Sequence, residues 1–518
     1  MPIVTARGGF CLIEHVVRVH PSSARLPRER QLAWAIAAFA AGKASLDPAA
    51  VAMAGCRVVD NASVALAAIN RPPVAAGRAQ ALAHPRSGGA TLYGLESSTR
   101  VHAQWAAWAN AVAVRELDFH DTFLSVEFGH PGDCIAPLIA VAQQCGRHGE
   151  DLTRGILVAY EIHVALMKSI NLHVHKKDHL AHLAPGTVAG IGAMLELPAE
   201  VIFQAVNQAV HLSFSTRQSR KGEISSWKAY VPGFSGKLAI ESVDRAMRGE
   251  AAPSPIYEGE DSVIAWMLDG PDAEYVVSLP AAGETPCAIL ETYTKAHSAE
   301  YQAQAIIDLA FELRREVDLA DVKEIVLHTS NHTHTVIGSG ANDPQKSDPD
   351  ASRETLDHSI TYILAVALED GEWHHERSYT GDRAHRPSTV ALWRKIRTVE
   401  DPVWNARYHE PNPAKRAFGG RVEIVRNDGT IASREKLVAD AHPNGDAPWG
   451  WEDYVSKFDR LAGELIDTGE RARFVDLSRR LASLDPDEVR VINPSMPPGA
   501  VTPNSPTGQG IFDFTSPP

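Results

Sequence analysis

The stretch "DFHDTFLSVEFGHPGDC", residues 118–134, crowds Asp118, Thr122, Glu127, His130 and other proton-exchanging or hydrogen-bonding groups into one short run. It is either a solvated loop that satisfies its own backbone or one wall of an acid/base site. A helix over 118–122 would put Asp118 and Thr122 on one face at i, i+4, and the His-Pro-Gly turn after it would carry His130 back toward that face.

Other stretches supply complementary chemistry. "HVHKKDHLAHLAPG" (173–186) adds His173, His175, His179 and His182, yet their spacing matches no standard metal-ligand pattern, so no metal is expected. "TRQSRKGEISSWKAYVPGFSGK" (216–237) places Arg217, Arg220, Lys221, Lys228 and Lys237 among Gly and Ser with few acids. In a chain of net charge -14 that cluster is the best anion site, and "GFSGK" lacks P-loop spacing. "TYTKAHSAEYQAQA" (292–305) sets Lys295 just ahead of a helix, and "SRETLDHSITYILAVAL" (352–368) puts His358 one turn before Tyr362 on an amphipathic helix. The acidic balance excludes nucleic acid as the main partner, because phosphate binding needs a concentrated basic face. A small anionic molecule fits a local basic cluster.

These groups must be held by a large scaffold. At 518 residues and 44% apolar content, the chain predicts two or three domains with ample core. Up to about 286 the pattern reads as helix after helix. Asp47-Pro48 is a start signal for an Ala/Val-rich run to about Asn70, and further helices are predicted over 101–116, 135–147, 151–169 and 235–248. From 287 the texture changes to α+β: "VKEIVLH" (322–328) reads as a strand and Asp428-Gly429 as a hairpin turn, with helices near 299–315 and 354–369. Helical periodicity resumes over 451–483, as if the chain returned to its first domain, and a Pro/Gly/Ser/Thr-rich tail from Pro494 reads as disordered. The expected domains are therefore 1–286, an inserted 287–444, a returning 445–493 and a tail 494–518. The cysteines, at 11, 56, 134, 145 and 287, form no Cys-x-x-Cys pair, which predicts buried thiols and no iron–sulfur cluster. No apolar run approaches the roughly 20 residues of a membrane span and no signal series opens the chain, so the expectation is a cytoplasmic protein with no membrane partner.

"ELDFHDTF" with "GHPGD", "KKDHLAHLAPGTVAGIGAMLEL", "STRQSRKGEISSWKA", "TYTKAHSAEYQ", "DPDASRETLDHSITYI" and "WHHERSY" occur in order across roughly 20–480. Together they resemble the MmgE/PrpD family. The resemblance implies a mainly α fold, with a large all-helical domain and a smaller inserted α+β lid, in a homodimer. It implies metal-independent lyase chemistry on a small tricarboxylate, without cofactor, and points to loss of water from 2-methylcitrate in propionate catabolism. By motif position the implied site is Asp118, Thr122, His130, His179 and Tyr362, with Lys228, Lys295, Arg217 and Arg220 on the anionic substrate. Lys228 and Lys295 are expected on carboxylates, His130 and His179 in acid/base work, and Tyr362 in orientation or relay. Two departures stand out: Cys134 where the dehydratases have Asn, and Glu300 where the decarboxylases have His. The second favours dehydration. Alternatives are cis-aconitate decarboxylase or another tricarboxylate lyase or isomerase of the family, a tricarboxylate-binding protein, and a His-cluster metallohydrolase.

Overall fold

The computed structural model describes residues 3–7, 10–220, 224–410, 412–501 and 510–513. Most of the first part is helical. Helix Pro48–Ala67 begins as its sequence dictates: the Asp47 carboxylate accepts from the Ala49 and Ala50 N–H groups at 2.8 and 2.9 Å, with Pro48 at the first position. This helix has 20 residues and a mean hydropathy of 1.3, against the expectation that no run reaches that size, yet 78% of its apolar window is buried inside the protein. Small residues let the helices approach closely. A Cβ on Gly190, in helix Leu180–Met194, would lie 2.5 Å from the Gly155 carbonyl oxygen in helix Gly149–Ser169, so only glycine permits this crossing.

The reading of residues up to 286 as helices alone is corrected: Pro85–Thr91 pairs with Arg100–Val101 and Phe123–Leu124 with Phe128–Gly129, and a larger sheet is present besides. Ile3–Arg7, Phe10–Arg18 and Glu274–Pro280 form an antiparallel three-stranded sheet. Two large hydrophobic cores divide the protein. One joins residues from Val17 to Ile289 with Tyr454 to Met496, and the other runs from Ala299 to Ile424. The second is built on a four-stranded sheet in the order Ile431–Lys436, Gly420–Arg426, Val322–Thr329, Ile396–Glu400, the last pair parallel. Gly429 takes a φ of 86° in the hairpin turn, as the Asp-Gly signal requires. A mainly helical part and a smaller α+β part are thus both present.

Two expected elements end elsewhere than their sequence suggests. The helix expected over 354–369 is two helices, Arg353–Leu356 and Ile360–Asp370, because the Ser359 hydroxyl caps the second by accepting from the Tyr362 N–H at 3.4 Å. The tail does not begin at 494: Gly94 N–H donates to the Pro494 carbonyl at 2.9 Å, and the Asn70 amide to that of Ala500 at 2.9 Å. Residues 502–509 and 514–518 of that segment lie outside the described residues.

Candidate active site

Helix Ala103–Arg115 ends shortly before Asp118, whose φ of 49° places it in the left-handed region that Asp tolerates better than most residues. Residues 118–122 are not helical, so Asp118 and Thr122 share no helical face. All of 117–122 is buried. Buried backbone that is neither helix nor strand still needs partners for its carbonyls, and here side chains provide them. The Leu117 carbonyl accepts from Ser298 Oγ at 3.0 Å and Arg353 Nη2 at 3.3 Å, that of Asp118 from Lys295 Nζ at 2.8 Å, and that of Asp121 from His130 Nδ1 at 2.8 Å. Thr122 exchanges backbone hydrogen bonds with Tyr293 at 2.9 and 2.8 Å, which lays the segment leading to Lys295 directly alongside.

A cavity opens between the two parts of the protein. Its walls include Arg115, Asp118, Thr122, His130, His179 and Arg217 from the first part and Lys295, Glu300, Lys346 and His358 from the second. Asp118 Oδ1 is 2.7 Å from Lys295 Nζ and bonded to Arg115 Nη1. Burial alone would raise the Asp118 pKa, but Arg115 and Lys295 outweigh it and hold the carboxyl well below its usual range.

Two imidazoles bracket this carboxylate. A carbonyl oxygen can only accept, so His130 Nδ1 carries the proton it donates to Asp121 and Nε2 keeps its lone pair, 3.7 Å from Asp118 Oδ1. His358 is held the same way, its Nδ1 against the Asp357 carboxylate and its Nε2 3.9 Å from Asp118 Oδ2. Burial lowers both pKa values. His130 falls well below its ordinary value, with Arg115 adding to the effect, and His358 falls to about 4 although Asp357 opposes the shift. Both rings are neutral at pH 7. Glu300 moves the other way: burial raises its carboxyl to about 7, against Lys295 and the Gln302 N–H that it accepts at 2.7 Å.

The other expected residues are distributed unevenly. Thr122 lines the cavity and donates its hydroxyl to the Gly129 carbonyl at 3.0 Å. His179 also lines it, with its ring 5.8 Å from that of His130. Arg217 reaches the wall over the Phe128 ring, whereas the Arg220 side chain and Lys221 lie outside the described residues. Lys237 does not join them; its ammonium lies 3.4 Å from the centre of the Trp105 ring. Lys228 is buried, bonded to the Asp357 carboxylate at 2.9 and 3.1 Å, and does not line the cavity. Tyr362 does not line the cavity either. Its ring packs in the second core against Trp393 and its hydroxyl donates to the Ser378 carbonyl at 2.6 Å. The break at Asp357–His358 explains this, since it turns His358 into the cavity and Tyr362 away from it.

Sequence reasoning missed Arg115, Asp357 and Lys346. Arg115 is the last residue of its helix, where a cation is common, and Lys346 stands in the polar stretch "DPQKSDPD", its Nζ donating to the His358 carbonyl at 3.2 Å. Among the described residues, the donor atoms of Asp118, Asp357 and His358 lie within 4.8 Å of one another, close enough to suggest a metal. Arg115, Lys295, Lys228 and Arg353 already bond these carboxylates and would repel a dication. The site suits an anion instead.

Comparison with known proteins identifies the family. The model of the MmgE/PrpD N-terminal domain matches residues 30–276, and that of the MmgE/PrpD C-terminal domain matches 297–483. The chain is 25% identical over 407 residues to a 2-methylcitrate dehydratase of Escherichia coli O157:H7, covering 73% of this chain and 79% of that protein. It is 26% identical over 335 residues to the mitochondrial 2-methylcitrate dehydratase of Yarrowia lipolytica, covering 61% of this chain and 62% of that relative. A fungal alkylcitrate dehydratase is 22% identical over 407 residues, covering 74% and 77%. With both domain models matched in order across the two parts that form the cavity, the chain belongs to the MmgE/PrpD family.

Proposed function

We propose that this protein is a metal-independent hydro-lyase that eliminates water from 2-methylcitrate to give 2-methyl-cis-aconitate. One observation carries the reading: two neutral imidazoles present Nε2 to a cation-rich cavity that also contains a carboxyl able to keep its proton to about pH 7. Water elimination needs these elements together. The proton to be removed is adjacent to a carboxylate and becomes acidic only if cations take up charge on the developing enediolate. Lys295, with Arg115 and Lys346 beside it, supplies that charge.

His358 is the better base of the two rings. Asp357 touches its Nδ1 and stabilises the imidazolium that forms, whereas Arg115 and Lys295 both oppose charge on His130. His358 Nε2 takes the proton from the methyl-bearing carbon, and the C–H electrons form the alkene as the neighbouring C–O bond breaks. Glu300 protonates the leaving hydroxyl, which departs as water. His130 accepts a hydrogen bond from that hydroxyl and turns its lone pairs toward Glu300. Solvent exchange then moves the proton from His358 to Glu300 and resets the site. His179 and Thr122 complete the wall on the His130 side, and Leu124, Phe128 and Val336 offer an apolar corner for the methyl group.

The Glu300 role has a pH signature. An acid must hold its proton to act, so kcat should fall as pH rises through about 7, and the base should fail only as pH falls through about 4. Glu300→Gln should lower kcat on the order of 10²- to 10⁴-fold and abolish the alkaline limb near 7. A pH–rate profile of both enzymes tests this, and an unchanged limb in Glu300→Gln would remove Glu300 from the mechanism.

A further inference from the structure

A second wall of buried polar groups lies behind the cavity, where helix Trp451–Ala462 packs against helix Pro48–Ala67. Lys457 sits at its centre and is 1% exposed. Its ammonium has three protons and the structure gives each a partner: Asp60 Oδ1 at 2.6 Å, the Phe119 carbonyl at 2.5 Å and the Lys295 carbonyl at 3.0 Å. One carbonyl belongs to the residue after Asp118. The other belongs to the residue whose own ammonium grips Asp118 from the cavity side.

No neutral side chain could donate to all three, and a buried charge is retained only where it is paired and fully bonded, as Asp60 and the two carbonyls arrange here. One turn earlier, the Tyr454 hydroxyl accepts from Arg57 Nη1 at 2.9 Å, while Arg57 Nη2 donates to Thr292 at the carbonyl (3.1 Å) and the hydroxyl (2.9 Å). Arg57 Nε lies 3.5 Å from Asp121 Oδ2. The same two helices therefore hold both ends of the paired segments 118–122 and 292–295.

We propose that Lys457 is a positioning residue for the reaction: it fixes the backbone of Phe119 and Lys295 from behind, and thereby the geometry of Asp118 against Lys295, without touching substrate. This rests on the dehydratase reading for its kinetic test but not for its structural one. Lys457→Met removes all three donors; Lys457→Gln keeps a shorter, neutral donor and guards against failure to fold. On 2-methylcitrate, kcat should fall at least 100-fold in Lys457→Met and at least 10-fold in Lys457→Gln, with KM within threefold of wild type. Arg383→Met, which breaks ion pairs with Glu369 and Asp370, none of them lining the cavity, should lower the melting temperature but keep kcat. Amide hydrogen exchange needs no substrate and reads the same variants: residues 117–122 and 293–297 should exchange at least 10-fold faster, with helix Gly149–Ser169 unchanged. Wild-type kcat in a folded Lys457 variant, or unchanged exchange in both segments, would overturn the proposal. Failure of the wild-type enzyme to act on 2-methylcitrate would instead count against the dehydratase reading, leaving the exchange result to judge Lys457.

Discussion

Lys295→Met is expected to lower kcat/KM by about 2 to 5 kcal/mol of transition-state stabilisation, or on the order of 30- to 5000-fold. The ammonium has two duties that no neighbour can assume. It bonds both the carbonyl and the carboxylate of Asp118, and it is the cavity cation closest to that carboxylate besides Arg115. Without it, a buried carboxylate loses a partner and the developing enediolate loses a countercharge. Stability should drop as well, since breaking a buried ion pair from one side costs about 3 to 5 kcal/mol. Lys323→Ala, at an exposed position of the strand Val322–Thr329, should leave both quantities almost unchanged. Equal losses in the two variants, measured by steady-state kinetics and melting, would contradict the place given to Lys295.

Removing the base should be as damaging. His358→Gln is expected to reduce kcat on the order of 10²- to 10⁴-fold with little change in KM, because the proton is transferred only in the transition state. Asp357→Asn should share part of that loss: it keeps the side-chain shape but removes the charge that stabilises the imidazolium. The comparison with His130→Gln is decisive for the assignment. If His358→Gln keeps its kcat while His130→Gln loses it, the base is His130.

The fold was legible where local chemistry is strong. Asp47-Pro48 marked a helix start and Asp428-Gly429 a hairpin, and both rest on short-range rules that tertiary contacts did not override. The N-terminal sheet was not legible, because its partner strand Glu274–Pro280 is distant in sequence and weakly alternating. Asp118, Thr122, His130, His179, Arg217 and Lys295 were named from residue type and motif, and all line one cavity. Tyr362 and His358 show where such reading stops. Helical periodicity put them one turn apart on one face, but a serine cap between them ended one helix and began another, so the flagged tyrosine went into the core and the histidine into the cavity. Lys228 shows a second limit: charge alone did not reveal that Asp357 would meet it. Lys457 gave no signal at all, since a lysine on an amphipathic helix ordinarily faces water.

Product identification from 2-methylcitrate and from cis-aconitate, supplied separately to enzyme exhaustively treated with chelator, tests the dehydratase reading. Loss of water creates a conjugated alkene that absorbs in the ultraviolet, and chromatography distinguishes a product that keeps all three carboxylates from one that has lost carbon dioxide. The expected result is 2-methyl-cis-aconitate from the first substrate, with full activity after chelation, and no itaconate from the second. Itaconate as the major product, or activity that disappears with a removed metal, would contradict it.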